Sequence, residues 1–199
     1  MVHKGDIMDI LRVVISKIGS PFTFLRNKLL ALFSKKVTFT FDKLPANLED
    51  MKAMPESSLG DPFKAAALTM CALCVYSEDA ENGAEMLNYL RGPRPMSPAD
   101  IAFLKDRLMD GKTYVARSYF EGATPENEYR PAVPYKVKVI SNQYSKLENG
   151  NYMKLLIHSG GADSPRSVTL RKTGSGTWYL WEQNLLSDIR IPKSQDAWA

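Results

Sequence analysis

At 199 residues, with 44% apolar and 24% charged residues, the chain can bury a core of its own and is not disordered along its length. Its net charge of +4 is unevenly placed: residues 1–36 carry seven Lys and Arg against Asp6 and Asp9, or +5, which leaves residues 37–199 at −1. A body so close to neutral lacks the basic surplus of a nucleic-acid-binding domain, so no nucleic-acid partner is expected.

The first element is a predicted helix over 6–18, with Ile7, Ile10, Leu11, Val14 and Ile18 on one face and Asp9, Arg12 and Ser16 opposite. Gly19-Ser20-Pro21 stops it and starts a second, with Ser20 as N-cap and Pro21 at the first helical position. There Phe22, Leu25, Leu29, Leu32 and Phe33 share a face opposite Asn27, Lys28 and Lys35, with Arg26 inside the apolar arc. Residues 1–36 thus form a basic amphipathic leader. Such a helix can lie in a membrane interface, each cation near anionic headgroups adding roughly 1 kcal/mol. The same faces can instead pack on the body or on a partner's helix, or serve as a tether. The expected membrane or partner contacts are Lys17, Phe22, Leu25, Arg26, Lys28, Leu29, Phe33, Lys35 and Lys36.

Asp6 and Asp9 interrupt the apolar run that a secretory signal needs, and charges through Lys28 leave no stretch able to span a bilayer. The expectation is a cytoplasmic protein that its leader can hold at the inner membrane face.

Residues 37–199 read as one domain. Val37 to Phe41 alternates as a short strand. Asn47 and Asp50 form a capping box for a short helix ending near Pro55. Asp61 caps an apolar helix from Pro62 to about Tyr76, and Asp79 opens another that Gly92 and Pro93 close. Ser97-Pro98-Ala99-Asp100 starts a helix running to about Met109. Residues 111–134 read as a long irregular loop, followed by strands at 135–139, 152–158, 167–171 and 178–182, the last two joined by a hairpin at Thr173-Gly174-Ser175-Gly176. The tail from Leu185 shows no period. The expected fold is α+β: a helical first half packed on an antiparallel sheet of four to five strands from the second half, with strand 37–41 able to join it.

Cys71 and Cys74 form one C-x-x-C pair, half of a zinc site with no partner pair or histidine to complete it, in mid-helix among Leu68, Met70, Leu73 and Val75. Packing as small hydrophobes is the expected role, and no metal site is expected. His158 precedes Ser159-Gly160-Gly161-Ala162-Asp163-Ser164-Pro165-Arg166, which reads either as a turn or as an anion-binding loop. The 114–135 segment mixes Tyr114, Tyr119, Phe120, Tyr129 and Tyr135 with Arg117, Glu121, Glu126, Glu128 and Arg130, and serves either as a binding loop or as a cover for the core. Trp178 and Trp181 point to opposite faces of one strand, so one of them is core and the other can line a pocket. Arg117, Tyr119, His158, Asp163 and Arg166 are therefore the candidate ligand-binding residues. No Walker A run, G-x-G-x-x-G or H-E-x-x-H is present, so neither a cofactor nor a catalytic residue can be named.

Several runs read together: Leu44 to Lys52, Met86 to Pro95, Ser118 to Asn127, Ser159 to Arg166, and Leu186 to Arg190 with Pro192 to Asp196. They resemble a family of uncharacterised bacterial proteins, mostly from gut Firmicutes, known as a domain of unknown function, over about residues 37–199. The resemblance implies a bacterial, cytoplasmic α+β domain and carries over no catalytic residue. The hairpin Val168 to Trp181 also resembles the last strands of cystatin-like or NTF2-like folds, which licenses no function. The leading expectation is a non-enzymatic binding or adaptor domain that its leader brings to a membrane surface or partner. The runner-up is a small-molecule-binding domain or hydrolase, its pocket built from the 114–135 loop and the 158–166 turn.

Overall fold

Four side chains start the principal helices by accepting an otherwise unsatisfied backbone N–H. Asn47 accepts from Asp50 at 2.9 Å to open α1 (Leu48–Ala53), and Asp61 accepts from Phe63 at 2.8 Å to open α2 (Pro62–Glu78). Asp79 accepts from Asn82 at 3.1 Å for α3 (Ala80–Arg91), and Ser97 accepts from Asp100 at 3.2 Å for α4 (Pro98–Leu108). Asp100 returns the bond by accepting from Ser97 N–H at 2.8 Å, which completes the expected capping box. Gly92, at φ +57°, ends α3.

The computed structural model describes residues 34–198. Both expected leader helices, and with them Lys17, Phe22, Leu25, Arg26, Lys28, Leu29 and Phe33, lie outside the described residues. Lys35 and Lys36 do not belong with them, because they open strand β1 (Lys35–Phe41), which starts two residues earlier than the alternation from Val37 suggests. Two exposed lysines at a strand end carry no apolar alternation to mark them.

The sheet has six antiparallel strands, five of them from the second half of the chain. Besides β1 it contains β2 (Tyr135–Ser141), β3 (Lys146–Leu147), β4 (Tyr152–Ile157), β5 (Arg166–Lys172) and β6 (Trp178–Gln183). Their order is β1-β2-β4-β5-β6, with the two-residue β3 paired to the start of β4. β1 does join this sheet: Lys35 faces Ser141 and Phe41 faces Tyr135. The 111–134 segment is not wholly irregular. It contains one helical turn, α5 (Tyr114–Arg117), and a 3₁₀ turn at Pro125–Asn127. Elements of three or four residues are too short to show a period.

One sheet face presents Phe39, Phe41, Val137, Val139, Leu155, Ile157, Val168, Leu170, Trp178 and Leu180 to α2, all buried. α2 is apolar around its whole circumference, and 14 of its 17 residues are buried, including Cys71 and Cys74. A helix hydrophobic on every side belongs inside a fold rather than on it. Both cysteines are free thiols, and burial, the main cause, pushes both thiols upward from their ordinary value. In β6, Leu180 faces Leu170 while Glu182 faces Thr169, which leaves Trp181 as the extra residue of a bulge.

α3 lies so close to α2 that a Cβ on Gly83 would sit 2.2 Å from the Tyr76 Cα. The obstruction is backbone, so it cannot swing aside. Gly83→Ala is expected to cost about 3 kcal/mol, at the upper end of overpacking penalties, measured as a shift in the urea midpoint with unchanged slope. Stability equal to wild type would show that the two helices are not locked at this distance. Both thiols should react with Ellman's reagent only after unfolding.

Candidate functional site

The 114–135 segment and the 158–166 turn do come together, as the runner-up reading requires. Ser159 Oγ bonds Ser118 Oγ at 2.7 Å, and Gly160 N–H donates to the Ser118 carbonyl at 2.8 Å. What lies against both is the C-terminal segment. The fully buried Tyr119 donates its hydroxyl to the Leu185 carbonyl, and Tyr129 donates to the Arg190 carbonyl at 2.6 Å. Arg190 N–H donates to the Gly161 carbonyl at 2.9 Å, and Ser194 donates through its N–H and hydroxyl to Glu128 at 3.1 and 2.6 Å.

Arg166 is the hub of this clasp. Its Nε donates to the Ser187 carbonyl at 3.1 Å, Nη2 to the Asp188 carbonyl at 3.1 Å, and Nη1 to the Ser164 carbonyl and hydroxyl at 3.1 and 2.9 Å. Asp163 pairs with Arg190, and Arg117 with Glu78. His158 is exposed just past β4. The five candidate ligand-binding residues therefore do not converge on one cavity. Arg117 lines one of about 440 Å³ with Asp42, Glu78, Arg130 and Tyr135. A second, of about 500 Å³, lies between Glu126, Gly160 and Arg190. Tyr119, Phe120 and Tyr129 are all buried, so the 114–135 aromatics complete the core, and Tyr114 stacks on Tyr129 with ring centroids 5.6 Å apart.

A different set of side chains lines a third cavity, of about 540 Å³, between the α3–α4 turn and the β5–β6 hairpin. Arg91, Arg94, Arg171 and Lys172 surround Tyr179 and Trp181, and no carboxylate is among its lining residues. Strand register explains the aromatic wall. Tyr152, Arg171 and Tyr179 stand opposite one another across β4, β5 and β6, on the sheet face away from Leu170 and Leu180. Trp181 follows on the bulge. The Arg94 and Arg171 guanidinium carbons lie 4.3 and 4.6 Å from the Trp181 ring centroid, and the Tyr152 ring meets it edge-on at 5.7 Å. The buried Arg91 shapes the turn, its Nε donating to the Arg94 carbonyl at 3.1 Å and its Nη2 pairing with Asp100 at 3.3 Å.

The sequence flags only Trp181 of this group. Arg91-Gly92-Pro93-Arg94 and Arg171-Lys172 are 77 or more residues apart, and no periodicity links a helix-closing turn to a hairpin. Cations at both kinds of turn are ordinary, so the signal lies in their meeting over one tryptophan.

Residues 43–193 match the family described as a domain of unknown function, DUF6935. The chain belongs to that family. The DUF6935 span takes in the basic cavity and the clasp as far as residue 193 but begins after β1, so it is narrower at both ends than the 37–199 likeness. No curated protein and no solved structure matches. Among the described residues no helix is long and apolar enough to cross a membrane, and no three His, Cys, Asp or Glu are grouped to hold a metal ion.

Arg166→Lys keeps the charge but loses the planar fork that spans three residues of two segments. It is expected to cost about 1–2 kcal/mol in urea unfolding and to speed amide exchange in residues 187–190; unchanged exchange there would show that Arg166 does not hold the segment. Tyr129 contributes to a pH dependence that it shares with the other raised phenols, Tyr76, Tyr114 and Tyr119. The Tyr129 hydroxyl is pushed up to about 12, first by burial and then by Tyr114 beside it. A phenol raised from about 10 stabilises the fold fully below about pH 10 and loses that contribution as the pH climbs through its folded value. The thermal midpoint should accordingly fall between about pH 10 and 12, and Tyr129→Phe should flatten the fall.

Proposed function

We infer that this protein is a binding or adaptor domain, and that its basic leader brings it to an anionic membrane surface, at the inner face of a bacterial cytoplasmic membrane. One observation carries the first half of this reading. The side chains best suited to build a reaction centre, Tyr119, Asp163 and Arg166, are occupied in holding the chain's own C-terminal segment. Arg117, the fourth candidate, is paired with Glu78. A catalytic group needs a free lone pair or proton beside a space for substrate; the Tyr119 and Arg166 donors are spent, Asp163 and the exposed His158 line neither neighbouring cavity, and Arg117 lines one together with its partner Glu78. The cavity that Arg94, Arg171 and Trp181 line is cationic and aromatic, the composition favoured at interfaces. The leader half rests on the basic surplus of residues 1–34, five Lys and Arg against Asp6 and Asp9, together with the apolar faces expected opposite Arg12 and Lys28.

Co-sedimentation of the full chain with anionic and neutral vesicles tests the reading. Binding to anionic vesicles should weaken with salt, and the triple variant Lys17→Glu, Arg26→Glu, Lys28→Glu should abolish it. Each cation near the surface is worth about 1 kcal/mol, so three reversals amount to a loss of a hundredfold or more. A wild-type chain that ignores anionic vesicles, or a triple variant that binds as before, would overturn the leader's role.

A further inference from the structure

We propose that the cavity between the α3–α4 turn and the β5–β6 hairpin is a binding site for a diphosphate group, inorganic or carried on a small organic molecule. Among the described residues the cavity's one carboxylate neighbour in an ion pair is Asp100, which Arg91 and Ser97 already hold, and Arg94 also helps to keep it ionised. Among the described residues no ion pair joins Arg94, Arg171 or Lys172 to a carboxylate. Glu182, next to Trp181, is exposed and outside the lining. Arg94 and Arg171 thus face one space, and Lys172 also lines it, its ammonium 5.7 Å from the Trp178 ring centroid; their mutual repulsion is a standing cost that a bound anion removes. The other two cavities differ on this point, because their cations share the lining with Asp42 and Glu78 or with Glu126 and Asp196.

Geometry narrows the ligand. A guanidinium stacked on a ring keeps its in-plane N–H donors free at the edges, and it is orientated at little entropic cost. Trp181 presents Arg94 and Arg171 in this state, 4.3 and 4.6 Å from its centroid. Their forks suit oxygens of a phosphate or carboxylate. A single phosphate carries about −1.5 to −2, so two joined phosphates match three cations better than one. The ring contacts of Trp181 with Arg94, Arg171 and Tyr152 leave recognition to charge and donors rather than to base stacking. A volume of about 540 Å³ lies within the small-ligand range. This site belongs to the body and does not rest on the leader, so vesicle binding and its loss bear on the other reading alone.

Isothermal titration of the full chain with inorganic pyrophosphate at constant ionic strength is the test, with monophosphate and adenosine diphosphate as separate arms. Pyrophosphate should bind at least tenfold more tightly than monophosphate and raise the thermal midpoint. Arg94→Gln and Lys172→Gln should each weaken it about tenfold or more, the loss of one charge-assisted hydrogen bond. Lys36→Gln, on the opposite edge strand, should change nothing. Arg94 and Lys172 are exposed, so their variants should fold, and unliganded melting checks this. Adenosine diphosphate binding as tightly as pyrophosphate assigns recognition to the diphosphate alone, and tighter binding assigns a share to the organic part. No binding of either, no preference over monophosphate, or equal binding by the Arg94, Lys172 and Lys36 variants overturns the proposal.

Discussion

The burial of α2 on nearly every side is the constraint from which the rest of the architecture follows. A helix running Ala65-Ala66-Ala67-Leu68 through Met70, Leu73 and Val75 has no polar stripe to offer water, so it must be covered all round. The sheet covers one side with five rows of apolar residues, and α3 covers another at a distance only Gly83 permits. The remaining flank is closed by the 114–129 segment, whose Tyr119, Phe120 and Tyr129 rings supply area that the short α5 cannot. The two tyrosine rings carry hydroxyls that also need partners once buried. The C-terminal segment provides them through the Leu185 and Arg190 carbonyls.

That chain of requirements explains why an arrangement of Tyr, Arg, Asp and Gly that reads as a ligand site is structural here. Arg166 makes the point most directly. Its donors go to carbonyls at 164, 187 and 188, groups in bends outside the sheet ladder that would otherwise be left to solvent. An anion-binding loop and a backbone-binding loop use the same guanidinium fork. What separates them is whether an acceptor within the chain reaches it first, and position in the sequence does not reveal that.

Those parts of the fold that depend on local chemistry could be read before any coordinates. Asn47, Asp61, Asp79 and Ser97 each cap the helix they were expected to cap, and Gly92 closes α3. Four alternating segments of the second half are strands, and Val37 to Phe41 lies within another. The features that escaped depend on partners distant in sequence. β3 is two residues long and exists because Lys146 and Leu147 meet Met153 and Tyr152. Lys35 and Lys36 are strand because Ser141 and Ile140 lie opposite, whereas their own side chains suggested a basic leader. The basic cavity escaped for the same reason: its two halves are turns, and turns expose cations for solubility far more often than for binding.

The cavity's place on the scaffold gives its exposed cations a rigidity that surface arginines lack. β6 is an edge strand, yet its backbone is tied to the body where Trp178 N–H donates to the Leu59 carbonyl at 2.8 Å. On the helical side the Tyr179 ring lies against Gly92, and Arg91 is bonded to the carbonyl of Arg94 across the same turn. Both walls are therefore fixed to the core through residues that are themselves buried or bonded, while the bulge at Trp181 brings one ring within reach of a guanidinium from each wall. An exposed arginine ordinarily surrenders about 2 kcal/mol of rotamer entropy when it is immobilised. Arg94 and Arg171 have met part of that cost against the ring, and this preorganisation is what distinguishes a site from a patch of like charge.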